Sequence, residues 1–303
     1  MSEIVIRAFY KFVHLPDFEK VRERLLEVAT DQAIKGTILL AEEGINGTVA
    51  GLRANMDHLF AAIRSDSRLQ SLKYKESVSQ VQPFYRIKVR LKKEIVTMGI
   101  PHVDPNHTVG TYVSGEAWND LISDPDTVVI DTRNDYETAI GTFENAVSPN
   151  TQSFREFPKW VEENKDYLEG KKIAMFCTGG IRCEKSTAYM KVNGYQDVYH
   201  LDGGILQYLE DMPKEQSKWN GECFVFDNRV AVNHDLEPGS YDMCHACRRP
   251  LSREDMESDL FIQGVSCPHC HNQHTDERKK AFEMRQRQVE LAKERGTCHI
   301  GGE

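Results

Sequence analysis

The segment Lys172-Ile-Ala-Met-Phe-Cys-Thr-Gly-Gly-Ile-Arg-Cys183 constrains this chain more than any other. A short apolar run closed by glycines reads as a strand buried on both faces, of the kind found in parallel sheets covered by helices. Cys177 stands at the carboxyl end of that strand, a Gly-Gly pair follows, and a helix is predicted from about Cys183 to Val192. Open α/β sheets place their chemistry outside the carboxyl ends of the strands. The glycines allow a loop whose amides point inward as an anion nest, the helix adds the positive end of its dipole, and Arg182 adds a charge. Such surroundings bring a cysteine from about 8.5 down to roughly 3.5–7.5, which makes Cys177 a ready nucleophile. The candidate site is therefore Cys177 with the loop Thr178, Gly179, Gly180, Ile181, Arg182 and Cys183. The competing reading, a packed cysteine at a strand end, is the rule for a lone Cys but not for this combination.

The spacing discriminates between chemistries. A cysteine phosphatase needs five residues between Cys and Arg, whereas here Arg182 comes one residue early and Cys183 takes the phosphatase position. The tighter loop suits a sulfur- or oxygen-loaded cysteine. Cys183 has two readings of equal weight: a thiol that resolves an oxidised Cys177 as a disulfide, or a packing residue. Asp131 and Arg133, at the end of the neighbouring strand Thr127–Asp131, have two readings as well. Asp131 either orients the loop amides or Arg182, or forms an ordinary buried ion pair with Arg133.

Around this segment the chain falls into three regions. Residues 1–100 alternate strands and helices: strands over 4–13, 36–41, 45–50, 72–78 and 84–91, with helices after Pro16 and over 53–64. The order βαββαβ with an extra strand predicts a ferredoxin-like split-βαβ domain. Residues 101–107 are rich in Pro, His and Asp and read as a linker, and residues 108–220 form the α/β domain, with a turn at Gly203-Gly204. Residues 221–303 are loop-rich and end in a helix from about Thr275 to Arg295, capped by Thr275.

The last strand of the first region carries Arg86, Lys88, Arg90 and Lys92 at period two, on one face, with Tyr85, Ile87, Val89 and Leu91 on the core face. Such a stripe is a track for an RNA backbone or, more commonly, the solvated face of a sheet. Residues 1–100 hold 16 Lys/Arg against 12 Asp/Glu, in a protein whose net charge is −9.

Eight cysteines without a secretory signal point to metal or thiol chemistry rather than disulfides. Cys244-His-Ala-Cys247 and Cys267-Pro-His-Cys270, nineteen residues apart, have the two-knuckle spacing of a four-thiolate zinc site of zinc-ribbon type. Redox dithiols are the rival. With four ligands in place such a site is structural. Cys223 and Cys298 belong to neither motif. Glu3 and Arg7 interrupt the first apolar stretch, and no run approaches the ~20 apolar residues of a membrane span. The expectation is a cytoplasmic protein with no membrane partner.

Three further segments complete a pattern. Val128-Val-Ile-Asp-Thr-Arg133 with Glu137 resembles the first rhodanese motif, Gly141-Thr-Phe-Glu-Asn-Ala-Val-Ser-Pro149 the segment after it, and Leu201-Asp-Gly-Gly204 the rhodanese C-terminal motif. More narrowly, Glu42-Glu-Gly-Ile-Asn-Gly-Thr48, Asp131-Thr-Arg-Asn134 and Cys177-Thr-Gly-Gly-Ile-Arg-Cys-Glu-Lys185 resemble the rhodanese-domain tRNA uridine-34 hydroxylases. The resemblance implies a tRNA partner, molecular oxygen as co-substrate, conversion of the wobble uridine to 5-hydroxyuridine, and Cys177 as the reactive cysteine. A thiosulfate-type sulfurtransferase forming a persulfide on Cys177 would use the same loop, and a redox sensor would use Cys177 and Cys183 as a switch. Oligomeric state is not legible.

Overall fold

The structure is a computed structural model and describes residues 3–296; Cys298 lies outside the described residues. The first domain runs β1 (Ile4–Phe12), α1 (Phe18–Asp31), β2 (Lys35–Ala41), β3 (Gly44–Gly51), α2 (Arg53–Arg64), β4 (Tyr74–Ser79) and β5 (Ile87–Leu91). Its sheet has the order β4-β1-β3-β2-β5, antiparallel except for the β2–β5 pair. This is the expected ferredoxin-like sheet with a fifth strand added at the β2 edge.

The two faces of this sheet have different partners. Val5 and Phe9 of β1, Ile38 and Leu40 of β2 and Val89 of β5 share a core with Val21, Leu25, Ala29, Leu59, Phe60 and Ile63 of the helices. Val21, Leu25 and Ala29 recur every four residues, the stripe that lets α1 lie on the sheet. The alternate residues Tyr10 and Phe12 of β1 and Ala41 of β2 pack instead with Ile95, Val96 and Ile181, against the next domain.

The central domain contains β6 (Thr111–Val113), α3 (Gly115–Ser123), β7 (Thr127–Asp131), α4 (Asp135–Thr138), β8 (Gly141–Phe143), α5 (Phe157–Glu163), α6 (Lys165–Leu168), β9 (Lys172–Phe176), α7 (Ile181–Val192), β10 (Val198–Leu201) and α8 (Gly204–Asp211). β6-β10-β9-β7 form a parallel sheet. Successive residues enter opposite cores: Val129, Ala174 and Phe176 with Trp118, Ile205 and Tyr208; Val128, Ile130, Ile173 and Met175 with Phe157, Val161 and Met190. Burial on both faces is why these strands are apolar throughout.

Next come β11 (Trp219–Gly221), paired with β8, then β12 (Cys223–Phe224), β13 (Ala231–Val232), β14 (Asp242–Met243), β15 (Pro250–Leu251), α9 (Arg253–Glu257) and α10 (Asp276–Glu294). Cys223, Val225 and Val232 pack into the core with Phe176 and Trp219, so the central domain's packing continues past residue 220. Thr275 caps α10, its hydroxyl accepting from the Arg278 amide. Among the described residues no helix is long and apolar enough to cross a membrane.

Three details differ from the expectations. The fifth strand begins at Ile87 rather than Phe84, and Tyr85 and Leu91 are 39 % and 41 % exposed rather than core-facing. Tyr85 precedes the edge strand and Leu91 ends it, so the apolar cover holds only at Ile87 and Val89. Gly203-Gly204 is the start of α8, not an isolated turn. The loop helix α7 starts at Ile181, two residues earlier than expected, with Gly180 as its N-cap at a φ of 100°.

Candidate active site

β9 delivers Cys177 to the mouth of the loop, and α7 begins four residues later. The Gly180 amide donates to Cys177 Sγ at 3.1 Å. The Cys183 thiol and amide face the same sulfur and favour its charged form. Burial alone would push the thiol up, because it removes water from the charged form. The Cys183 thiol, the Arg182 charge and the two amides outweigh it and bring Cys177 down to about 5. Cys183 moves the opposite way: burial and the adjacent Cys177 sulfur raise it well above the usual thiol range, so it keeps its proton and acts as donor. The loop thus holds an ionised thiol and a protonated one, both fully buried.

Arg182 corrects the simpler electrostatic picture. Its guanidinium is held by Glu137 in a two-pronged pair, Nη1 to Oε2 and Nη2 to Oε1, both at 2.7 Å and buried. Glu137 comes from α4, where it also closes a capping box with Asn134. Its carboxylate works against burial but is held low, chiefly by the Arg182 charge and hydrogen bond, with the Arg133 charge and the Asn134 amide adding to them. The guanidinium charge is therefore shared with Glu137, yet at Cys177 it ranks behind only the Cys183 thiol and ahead of the two amides. Thr178 Oγ1 lies within 3.5 Å of both Arg182 and Glu137.

Asp131 does not orient the loop, as one of its two readings would have it. It pairs with Arg133, Nη2 to Oδ2 at 2.6 Å, both side chains are fully buried, and Thr142 Oγ1 donates to it. Arg133 also reaches the Gly141 carbonyl and lies over the Trp219 ring. This is the buried ion pair that fixes β7 to β8 and β11. The carboxylate assigned to Arg182 is Glu137.

The loop is roofed by groups that periodicity and motif gave no reason to choose. Gly204 has a φ of 69°, and a Cβ there would come within 2.5 Å of the Cys177 carbonyl and 2.7 Å of the Gly180 amide. Only glycine permits α8 to approach that closely, and the amides of Ile205 and Leu206 then donate to the carbonyls of Cys177 and Thr178. From the first domain, Tyr10 lies against Gly180, where a Cβ would meet its hydroxyl at 2.7 Å, and Tyr10 Oη donates to Glu184 at 2.8 Å. Lys75 donates to the Gly203 carbonyl. Burial lowers the Lys75 ammonium to about 8, while Glu210, Cys177 and Asp202 oppose the shift. From the C-terminal side, Phe226 lies over the Arg182 guanidinium at 5.9 Å. Cys177 is fully buried beneath this roof.

Arg86, Lys88, Arg90 and Lys92 lie far along the first domain's sheet. Arg86 and Lys88 line a cleft of about 650 Å³ together with Thr37, Phe226, Arg248 and Arg285. Arg90 and Lys92 do not line it; both are exposed.

The four cysteines of the knuckles converge. Their sulfurs all lie within 4.8 Å of one another: Cys244 to Cys270 at 3.9 Å, Cys247 to Cys267 at 3.8 Å, and Cys267 to Cys270 at 3.6 Å. A tetrahedron of sulfurs about 2.3 Å from a central ion has edges of about 3.8 Å. The set therefore fits one tetrahedral metal ion. Arg249 ties this knuckle to Asp135 of the central domain at 2.6 Å, and Arg285 of α10 donates to the carbonyls of His245 and Gly264.

Residues 4–95 match the UPF0176 acylphosphatase-like domain family, and residues 114–211 match the rhodanese-like domain family. Among solved structures, a rhodanese-related protein from Thermoplasma volcanium is 22 % identical over 34 % of this chain and 95 % of its own, with a TM-score of 0.28. The rhodanese-like domain of an Anabaena protein is 14 % identical over 36 % of this chain and 78 % of its own, with a TM-score of 0.30. A rhodanese-like domain points to sulfur-transfer or tRNA-modifying chemistry. The chain thus carries a UPF0176 acylphosphatase-like domain followed by a rhodanese-like domain, which is the architecture of the UPF0176 rhodanese-domain tRNA hydroxylase family.

Proposed function

We propose that the protein is a tRNA-modifying oxidoreductase that hydroxylates C5 of uridine 34 with molecular oxygen, using the Cys177 thiolate. The observation that carries this reading is a second thiol, Cys183, fully buried in the same loop as Cys177 beneath a roof to which Tyr10 and Lys75 of the first domain contribute. A rhodanese loop that only accepts and passes on a sulfur atom has no need of the second thiol.

Replacing C5–H by C5–OH with dioxygen leaves one oxygen atom to become water, which takes two electrons and two protons. Closing Cys177 and Cys183 to a disulfide supplies both electrons, and cellular thiols reopen it. The two protons come from the Cys183 thiol and, by way of solvent, from the Lys75 ammonium at the loop's edge. Excluding bulk water around Cys177 protects such a thiolate from side reactions.

The metal bound by the knuckles is proposed to be zinc and structural, since four thiolates leave no position for water. It fixes Arg248 and, through Arg285, α10.

Nucleoside mass spectrometry of tRNA from cells lacking the gene, complemented with wild type or Cys177→Ala, tests the reading. Loss of 5-hydroxyuridine restored by wild type alone supports it. An unchanged nucleoside profile together with strong thiosulfate-to-cyanide sulfur transfer would replace it with the sulfurtransferase reading.

A further inference from the structure

The cleft of about 650 Å³ lies where all three regions meet. Thr37, Phe84, Tyr85, Arg86 and Lys88 come from the first domain, Tyr136 and Phe226 from the central fold and its extension, and Arg248 and Arg285 from the metal knuckle and α10. The sheet face that carries Arg86 and Lys88 is the one turned away from α1 and α2, toward the rest of the molecule. The basic stripe is thus partly turned inward, not spread over an outer surface.

Arg86, Lys88, Arg248 and Arg285 come together here in a protein whose net charge is −9. Among the described residues none of the four pairs with a carboxylate. Asp227, the one acidic residue among the described residues that line the cleft, is already held by Arg229 at 2.6 Å. The crowding is felt: burial and the charges of Arg86, Arg90 and Arg248 lower the Lys88 ammonium, and burial and Arg248 lower Arg285. Folding would not gather like charges in a partly enclosed space without a counter-charge to meet there.

Aromatic rings are interleaved with these cations. Tyr85 and Phe226 are 39 % and 58 % exposed, and Phe84 is half-buried. Cations at intervals with open aromatic faces between them are how single-stranded nucleic acid is held, phosphates on the charges and bases on the rings. The cleft also leads somewhere: Phe226 forms its wall and lies on Arg182 of the thiolate loop.

We propose that this three-way cleft binds single-stranded RNA beside the thiolate loop, with Arg86, Lys88, Arg248 and Arg285 on phosphates and Phe226 as the base-stacking ring nearest Cys177. It rests on the RNA-modifying reading above and adds where the RNA lies and that the metal knuckle contributes to holding it. A duplex has its bases stacked on each other, so its faces are not free for these rings.

The test is fluorescence anisotropy with the full chain and two labelled probes, an RNA hairpin with a uridine-containing loop and the same sequence closed as a duplex. The loop probe is expected to bind more tightly. Arg86→Glu and Arg248→Glu should each weaken it by about tenfold or more at ~0.1 M salt. Each should also lower the slope of log affinity against log salt by about 0.7 for every phosphate left without its cation. Phe226→Ala should weaken binding by about tenfold. Arg248→Lys should retain most of the binding, which separates the missing charge from misfolding, and Lys159→Glu on α5 should bind as wild type. Wild type binding tightly while Arg86→Glu, Arg248→Glu and Phe226→Ala match it would overturn the cleft and leave the RNA-modifying reading standing. Wild type binding neither probe would overturn both.

Discussion

Lys185 Nζ lies 2.7 Å from Glu43 Oε2 and 2.5 Å from Glu94 Oε2, a bridge that joins the helix following the reactive cysteine to the first domain. Lys185 is 1 % exposed and also donates to the Val96 carbonyl. Glu43 accepts from the Ile95 amide, and the nearby Asn46 donates to the Ile95 carbonyl. Two segments 142 residues apart, one around Glu43 and one ending at Lys185, are thus two halves of a single latch that seats the roof on the loop.

Breaking this latch from the lysine side strands two carboxylates in a partly buried interface. Lys185→Met is expected to cost about 3 kcal/mol or more, the usual penalty for leaving buried charge unpaired. Urea unfolding reads the loss. Adding Glu43→Gln to Lys185→Met should recover part of it, because one stranded charge is then gone. An unchanged midpoint in Lys185→Met would mean that the bridge holds nothing together.

The two sulfurs can be separated into two roles. Thiolate absorbance near 240 nm, followed against pH, should show Cys177 half-ionised near 5 in wild type. Cys183→Ala removes the leading donor, and the midpoint should rise by about one unit or more. Cys183→Ser keeps a donor and should keep most of the shift. If Cys183 supplies reducing equivalents, Cys183→Ser nonetheless loses turnover while its thiolate titrates as before. A serine variant that turns over like wild type would remove the dithiol step and leave the hydrogen bond.

Cys177, its glycines and its helix were legible because they are local: an apolar strand, Gly-Gly and a helix start within a dozen residues of each other. The knuckle cysteines were legible for the same reason. The roof was not. Tyr10 and Lys75 are ordinary residues of ordinary strands, and only the sheet's second face, which periodicity leaves unassigned, brings them to the loop. Arg182's partner was missed because Asp131 stood closer to the motif, whereas the capping box of α4 points Glu137 inward. The α8 start was hidden by two glycines that read as a turn, although the close approach of Gly204 to Cys177 is what demands them. Phe226 carried no signal beyond being aromatic in a loop.

Lys75 sets the expected alkaline limit. Its ammonium loses its proton as pH rises through about 8, and Cys177 gains its charge as pH rises through about 5. Turnover that needs the thiolate and the ammonium together follows a bell between those values. Lys75→Arg, always protonated, should carry the upper limb beyond the range where tRNA survives, while the lower limb stays near 5. Measuring kcat/KM for a tRNA substrate against pH checks both limbs. An upper limb unmoved in Lys75→Arg would assign it to another group.

Removing the knuckle's metal should separate RNA holding from thiolate chemistry. Residues around Cys244–Cys270 form a small cluster with Leu251, Met256 and Phe261 and little else, too few apolar groups to fold without a crosslink. An ion bound to four thiolates supplies on the order of 10 kcal/mol to such a segment. A chelator, or Cys247→Ser, is therefore expected to speed hydrogen exchange through the knuckle and α10 while the sheets of the first two domains stay protected. Arg248 follows Cys247 directly, and Arg285 is anchored on knuckle carbonyls, so both would leave the cleft and RNA affinity would fall. The Cys177 titration should not move, because its donors all lie between Cys177 and Cys183. If the chelated protein held RNA as tightly as before, the knuckle would be a fastening for the C-terminus alone, and the cleft's charge would have to come from Arg86 and Lys88.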